Sequence, residues 1–236
     1  MRLCMFHPVD HPLERGWVGR VDGDRVVQLA AQTLQSFFTG GGSAREHAEF
    51  ALNDVKLLAP ILHPPSIRVF DEQDGCAFAN PAAIIGPGAT VETARAPSDT
   101  VSQGQLALFP RLAAVIGAQG ELAAFTILAE WRDPARRPPK DRDFALGLGP
   151  VAVTTDELDP SGRTIAVRVD GAERGSGAFS GFDWPAAVSL AADGTRLYPG
   201  DLIAGPGSAL VDEVAPGSRV ELEVDGIGVL EQRIAS

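Results

Sequence analysis

Side chains that commonly serve as nucleophiles, proton carriers or soft-metal ligands are few in this chain and widely spaced. The two cysteines, Cys4 and Cys76, have no further cysteine or histidine at the spacing of a zinc site, so the sequence indicates neither a metal-thiolate centre nor a disulfide framework. The four histidines are His7, His11, His47 and His63. Because no serine or cysteine nucleophile accompanies them, we expect surface or capping roles for the histidines.

Acids and arginines are therefore the remaining candidates for chemistry. A guanidinium group keeps its proton in proteins and cannot ligate a metal ion, but its planar fork can hold a carboxylate or a developing oxyanion through two hydrogen bonds. A Glu or Asp beside such arginines is a candidate general base, because the neighbouring charges set the pKa of its carboxyl group. Which acids and arginines meet depends on the elements that carry them.

Short strands are the elements that the pattern predicts for most of the chain. From residue 63 onward, β-branched runs are separated by turn residues, and strict apolar alternation in residues 165–169 and 220–224 predicts half-buried strands of a mostly antiparallel sheet. Few helices fit here, one of them over residues 184–192. The predicted fold class is mainly β with some α.

The first 62 residues differ from the rest in their sequence pattern, because they contain the best helical stretches. They are predicted to form a small N-terminal α+β cap, followed by a second domain over residues 63–236. Asp22-Gly23-Asp24 lies between apolar runs and predicts a hairpin. Two helical stretches are predicted after it. The first contains Leu34, Phe37 and Phe38, and the second contains Ala48, Ala51, Leu52 and Val55.

Several strings stand in a distinctive order along residues 63–233. They include Pro64-Pro65-Ser66-Ile67-Arg68-Val69-Phe70, Asn80-Pro81-Ala82-Ala83-Ile84-Ile85-Gly86-Pro87-Gly88, Leu112-Ala113-Ala114-Val115-Ile116-Gly117, Phe125-Thr126-Ile127, Val169-Asp170-Gly171, Pro199-Gly200-Asp201 and Asp225-Gly226-Ile227-Gly228. In this order they resemble the catalytic domain of the fumarylacetoacetate hydrolase family. The resemblance implies a mixed β-sandwich or β-roll, usually dimeric. It also implies C–C hydrolysis, decarboxylation or tautomerisation of small 2-oxo or 1,3-dicarbonyl acids.

The family's metal site is where the sequence departs from the resemblance. Family members hold magnesium, manganese or calcium through a Glu-x-Glu pair and a nearby aspartate, and the ion stabilises the anion formed from the substrate. Here Phe109 and Arg111 stand at the Glu-x-Glu positions, and Glu130 stands at the aspartate position. We therefore predict that the metal site is degenerate and that the chain uses no metal or other cofactor.

Other substrate-contacting positions of the family are also changed. Arg142 stands where the family has a lysine that binds substrate, and Asp74 stands where it has a histidine that activates water. Pro206, in Ala204-Gly205-Pro206-Gly207, replaces a Gly-Thr turn that helps to hold substrate.

Two interpretations of the altered site remain open. In the first, Arg111, Arg142, Phe109 and Pro206 bind a small anionic oxo acid, and Glu130 or Asp74 acts as the base of a hydrolase, lyase or isomerase that needs no divalent metal. In the second, Arg111 pairs with an acid such as Glu130 inside a dead site. The chain is then a pseudoenzyme, kept as a homodimer subunit or as partner of an active paralogue.

Charge and hydropathy limit the other classes of partner. The formal net charge of −11 repels nucleic-acid phosphates and anionic lipid surfaces, so we expect neither nucleic acid nor membrane as a partner. No apolar run is long enough for a signal peptide or a membrane span. Together with the cysteine usage, this predicts a cytoplasmic protein.

Overall fold

The computed structural model describes residues 1–92 and 105–236, and within them strands predominate, which confirms the predicted fold class. The first group of strands comprises β1 Arg2–Pro8, β2 Trp17–Asp22, β3 Arg25–Leu29, β4 Glu46–Ala51, β5 Val55–Leu58, β6 Ile67–Glu72, β7 Gly75–Ala79, β8 Ile84–Ile85 and β9 Thr90–Val91. The second comprises β10 Leu106–Ile116, β11 Leu122–Arg132, β12 Leu146–Thr154, β13 Thr164–Val169, β14 Ala172–Ala178, β15 Leu202–Ala204, β16 Val211–Val214, β17 Arg219–Val224 and β18 Gly228–Ile234. The helices are α1 Leu34–Thr39 and α2 Trp184–Ala192, with short 3₁₀ turns at Leu52–Asp54 and Pro81–Ala83.

The described strands form two sheets. The larger has the order β4-β3-β2-β1-β12-β11-β10-β15-β6-β7, with β5, β8 and β16 paired to β1, β12 and β10. The smaller has the order β14-β13-β17-β18-β9. Apolar alternation buries one face of β13 and β17, as predicted. The predicted helix over residues 184–192 is also confirmed, and it begins after Asp183, whose side chain accepts a hydrogen bond from the Ala186 N–H.

The N-terminal 62 residues confirm two predictions and overturn a third. The first predicted helix is α1, which buries Leu34, Phe37 and Phe38. The hairpin of β2 and β3 turns at Gly23, where φ is +62°, a conformation that glycine adopts without strain. The second predicted helix is wrong, because residues 46–51 form β4 on the edge of the sheet and only the 3₁₀ turn follows. Phe50 on β4 packs against Phe6 and Trp17, and this aromatic contact outweighs the helical spacing of small alanines.

The N-terminal strands continue the larger sheet, since β1 pairs with β12. The domain boundary near residue 62 stays a prediction. The two sheets are joined in the core by Trp131 of β11, whose Nε1–H donates to Gln232 Oε1 of β18 over 2.7 Å. Both side chains are fully buried, and the Gln232 amide lies where a Cβ at position 147 of β12 would be, which requires Gly147 there.

Candidate functional site

The long strands β10 and β11 bring the predicted site residues together. Phe109 lies directly opposite Glu130, and Arg111 lies opposite Leu128. Because side chains alternate across a strand, Phe109, Arg111, Glu130 and Arg132 all project from the same face of this pair. The carboxylate of Glu130 and the guanidinium of Arg111 are therefore diagonal neighbours in the interior of the protein.

Arg111 is fully buried and connects four segments of the chain. Its Nε donates to Glu130 Oε2 over 2.6 Å, and its Nη1 donates to the carbonyl oxygens of Phe70 and Gly205 over 3.0 and 2.9 Å. Its Nη2 donates to Asp71 Oδ1 over 2.6 Å. A buried guanidinium needs such a set of acceptors, because an unpaired charge in the interior is costly.

Arg132 completes the enclosure of Glu130. Its Nε donates to Glu130 Oε1 over 2.7 Å, and its guanidinium carbon lies 3.6 Å from the centroid of the Phe109 ring, a cation–π contact. Its Nη2 is buried and has no hydrogen-bond acceptor among the described residues, and Asp71 Oδ1 lies 4.0 Å from it. We call Phe109, Arg111, Glu130, Arg132 and Asp71 the arginine cluster.

Asp71 forms the solvent-facing part of the arginine cluster, with 66% of its side chain exposed. Partial burial acts to raise the pKa of its carboxyl group. The hydrogen bond from Arg111 and the charges of Arg111, Arg132 and Arg142 act in the opposite direction and hold this pKa below its ordinary value. Asp71 is therefore ionised at neutral pH.

The other predicted site residues lie around the arginine cluster. Arg142 Nη2 is 3.0 Å from Asp141 Oδ2, and the hydrogen bond to Asp141 raises the pKa of the guanidinium, with smaller contributions from Glu130 and Asp71. Asp74 lies in the exposed turn between β6 and β7, and no ion pair joins it to the cluster within the described chain. This turn is held by Gln73, which exchanges two hydrogen bonds with the Asp183 backbone.

Pro206 lines a cavity of about 260 Å³ that adjoins the arginine cluster. The cavity wall also includes Leu112, Phe182, Trp184 and Ser208. Gly205 lies between this cavity and the arginine cluster. Its carbonyl oxygen accepts a hydrogen bond from Arg111, and a Cβ at this position would lie 3.1 Å from Trp184 and 3.2 Å from Phe182 in the cavity wall. A larger cavity of about 700 Å³ lies beside α1, and none of the predicted site residues lines it.

The residues present do not fit the divalent cation of the family. Magnesium and calcium require several converging oxygen ligands, whereas the guanidinium of Arg111 already takes an oxygen of Glu130 and an oxygen of Asp71. In residues 1–92 and 105–236 no three His, Cys, Asp or Glu side chains are grouped so that they could hold a metal ion. A cation beside Glu130 would also face the positive charges of Arg111 and Arg132.

Sequence reasoning missed Asp71 and Arg132. Arg132 had a usable signal, because a residue two positions after Glu130 on a strand projects from the same face. Asp71 had no such signal, since its approach to Arg111 depends on the parallel pairing of β6 with β15, which brings together segments about 135 residues apart.

Within the described residues, neither helix is long and apolar enough to cross a membrane.

Comparison with known proteins identifies related sequences over parts of the chain. A segment of 97 residues is 35% identical to an uncharacterized protein of Pyrococcus abyssi and covers 40% of this chain and 43% of that protein. A segment of 98 residues is 33% identical to the 4-hydroxyphenylacetate degradation bifunctional isomerase/decarboxylase of Salmonella dublin, covering 40% of this chain and 23% of that enzyme. The matches thus span less than half the length of either relative.

Solved structures with the same fold match the whole chain. Maleylpyruvate hydrolase from Sphingobium sp. SYK-6, in complex with manganese(II) and pyruvate, has a TM-score of 0.83 at 20% identity, covering 100% of this chain and 99% of that one. The 2-keto-3-deoxy-D-arabinonate dehydratase complexed with magnesium and 2,5-dioxopentanoate has a TM-score of 0.78 at 16% identity, with the same coverage. The family model of the fumarylacetoacetate (FAA) hydrolase C-terminal domain matches residues 52–235, and this chain belongs to that family.

Proposed function

We propose that this protein binds a small oxo acid at the solvent-facing edge of the arginine cluster and does so without a divalent cation. The observation that carries the proposal is the guanidinium of Arg132, which is fixed by Glu130 and Phe109 but has a buried Nη2 without an acceptor in the described chain. A buried donor of this kind gains a charge-assisted hydrogen bond when a carboxylate arrives.

The class of ligand is supported by the relatives. The two structural neighbours are described with pyruvate and with 2,5-dioxopentanoate, and the Salmonella relative is an isomerase/decarboxylase. Such ligands carry a carboxylate beside an oxo group. Arg142, one third exposed and paired with Asp141, interacts electrostatically with Glu130 and Asp71 and so lies near the same edge.

Glu130 is the candidate base for an enzyme working at this site. With an unsaturated oxo acid, abstraction of a proton by Glu130 would give a dienolate, whose oxygen Arg132 would stabilise, and return of the proton at the other end of the conjugated system would shift the C=C bond and complete an isomerisation. Each Glu130 oxygen accepts one hydrogen bond from an arginine Nε and keeps further lone-pair capacity. Asp74 is the weaker candidate, because it lies in the exposed turn.

Calorimetric titration with pyruvate and with oxalate tests the proposal. We expect binding in the presence of EDTA, unchanged when magnesium or manganese replaces the chelator. Substituting Arg132→Gln should weaken binding at least about tenfold, the effect of losing one hydrogen bond to a charged group. Arg219→Gln, in the smaller sheet, removes the same charge from an exposed site and should leave affinity unchanged. Binding that appears only with the metal would overturn the proposal.

A non-catalytic role is the second candidate, and one observation favours it. Both oxygens of Glu130 and the four identified donor contacts of Arg111 are used inside the protein, which is the pattern of a closed structural ion pair. In this role the chain would act as a homodimer subunit or as partner of an active paralogue. Turnover of an acylpyruvate or of oxaloacetate by the purified chain, lost in Glu130→Gln, would exclude it.

A further inference from the structure

Asp71 places an exposed carboxylate against the part of the arginine cluster where the oxo acid is proposed to bind. Its Oδ1 is 2.6 Å from Arg111 Nη2 and 4.0 Å from Arg132 Nη2. The chain thus supplies its own carboxylate to two guanidinium groups, and that carboxylate is reached by solvent while Arg111 is fully buried.

We propose that Asp71 is an internal substitute for the ligand: it occupies the carboxylate-binding point formed by Arg111 Nη2 and Arg132 Nη2, and it swings away when the ligand binds. This inference rests on the proposed function, because it names the subsite and the regulation of the same site. The ligand class is a small monocarboxylate or oxo acid whose carboxylate has no tether to the protein.

Asp71 forms a hydrogen bond with only one of the two guanidinium groups, whereas an untethered carboxylate can bond to both. Asp71 gives Arg111 a short hydrogen bond, but 4.0 Å to Arg132 Nη2 is too long for one, so that buried donor is left without an acceptor. A free carboxylate has two oxygens and no backbone constraint. It can accept from both guanidinium groups at once.

The binding point remains in place when Asp71 leaves. Arg111 is held by Glu130 through Nε and by the Phe70 and Gly205 carbonyl oxygens through Nη1, and none of these bonds involves Asp71. Arg132 is held by Glu130 and by the Phe109 ring. Asp71, in contrast, lies near the end of β6 beside the exposed hairpin turn, so rotation of its side chain meets solvent.

Internal competition of this kind lowers the apparent affinity by the fraction of molecules in which the binding point is open. If the state with Asp71 bound is ten times as populated as the open state, the apparent Kd of the ligand rises about tenfold. Removing the Asp71 carboxylate should therefore tighten binding of the ligand.

The experiment compares Asp71→Ala and Asp71→Asn with wild type and with Glu72→Gln. Glu72 is the next residue on β6, and it is exposed and joined to the arginine cluster by no ion pair within the described chain, so its variant removes one charge without opening the point. Formate is the first probe, followed by pyruvate and oxalate, each measured by thermal shift and calorimetry at equal ionic strength against chloride. Circular dichroism of each variant checks the fold.

We expect formate to stabilise Asp71→Ala more than wild type or Glu72→Gln at the same concentration, because the binding point is open in all molecules of the first and in only a fraction of the others. Oxalate and pyruvate should bind Asp71→Ala and Asp71→Asn about tenfold more tightly than wild type. Equal or weaker binding of formate and oxo acids by the folded Asp71 variants would overturn this inference. Formate binding to Asp71→Ala without oxo-acid binding to any variant would uphold the inference and overturn the proposed function instead.

Discussion

Two buried arginines on neighbouring parts of the larger sheet are neutralised in different ways. Arg111 on β10 makes direct ion pairs with Glu130 and Asp71, each at 2.6 Å. Arg68 on β6 lies 3.8 Å from Asp201, and the hydroxyl of Ser66 bridges the two, accepting from Arg68 and donating to Asp201 Oδ1 over 2.6 Å. Both arginines are more than nine-tenths buried.

The two groups differ in whether an exposed carboxylate is one of the partners of the buried arginine. The Asp201 carboxylate also accepts from the Tyr198 N–H, so the Arg68 group is closed by neutral donors and has no solvent-facing charge. The Arg111 group is closed on one side by Glu130 and on the other by an exposed carboxylate. The proposed exchange with a ligand needs such an exposed partner, and the Arg68 group has none.

The largest expected effect is from Arg111→Met. This change leaves Glu130, 2% exposed, with Arg132 as its remaining cationic partner, and breaking a buried pair in this way costs about 3–5 kcal/mol of unfolding free energy. Urea denaturation at neutral pH measures it. Arg111→Met combined with Glu130→Gln should recover part of the loss, and a loss below about 1 kcal/mol in the single variant would contradict the role assigned to Arg111.

A double variant, Phe109→Glu with Arg111→Glu, replaces the guanidinium by carboxylates on the face that bears Glu130. Position 109 lies opposite Glu130 in the sheet register, so the new oxygens converge there and should bind manganese. At a hundredfold excess of manganese over Kd the stabilisation is about 2.7 kcal/mol, measured as a rise in Tm. The wild type is the control, and an equal rise in both proteins would show that the cation binds elsewhere.

Arg68→Met should have a smaller effect than Arg111→Met. Asp201 keeps the Ser66 hydroxyl and the Tyr198 N–H as donors, so we expect a loss of about 1–3 kcal/mol, the range for removing one partner of a buried hydrogen bond. Urea denaturation of both variants side by side gives the comparison. If Arg68→Met were the more destabilising of the two, direct and bridged neutralisation would not differ as described.

Asp71→Asn should have the smallest effect on stability, because an ion pair with an exposed partner contributes at most about 1 kcal/mol. The pKa of Asp71 is lowered in the folded protein, so its contribution is present above the unfolded pKa of 3.8 and is lost as pH falls through the lower folded value. Unfolding free energies measured from pH 7 to pH 2 should therefore show wild type and variant converging at the acid end. A constant difference across this range would contradict the ion pair.

Much of the fold follows from local patterns, whereas the site depends on long-range pairing. Alternation predicted β13 and β17, and the Asp-Gly turn predicted the first hairpin, since each pattern needs only adjacent residues. The helix predicted from alanine spacing failed because Phe50 packs against aromatic residues more than 30 residues away along the chain. Pairing of Arg111 with Glu130 was one of the alternatives that the sequence left open, and the structure contains it.

Strand β11 places opposite demands on its two faces. Glu130 and Arg132 project into the arginine cluster, while Trp131 between them projects toward Gln232 of the other sheet. A slip of one residue in the pairing of β11 would put the indole among the arginines and a carboxylate into the apolar space between the sheets. The residues on each face thus specify the register of the strand for both faces, so mispaired intermediates of this hairpin are strongly disfavoured during folding.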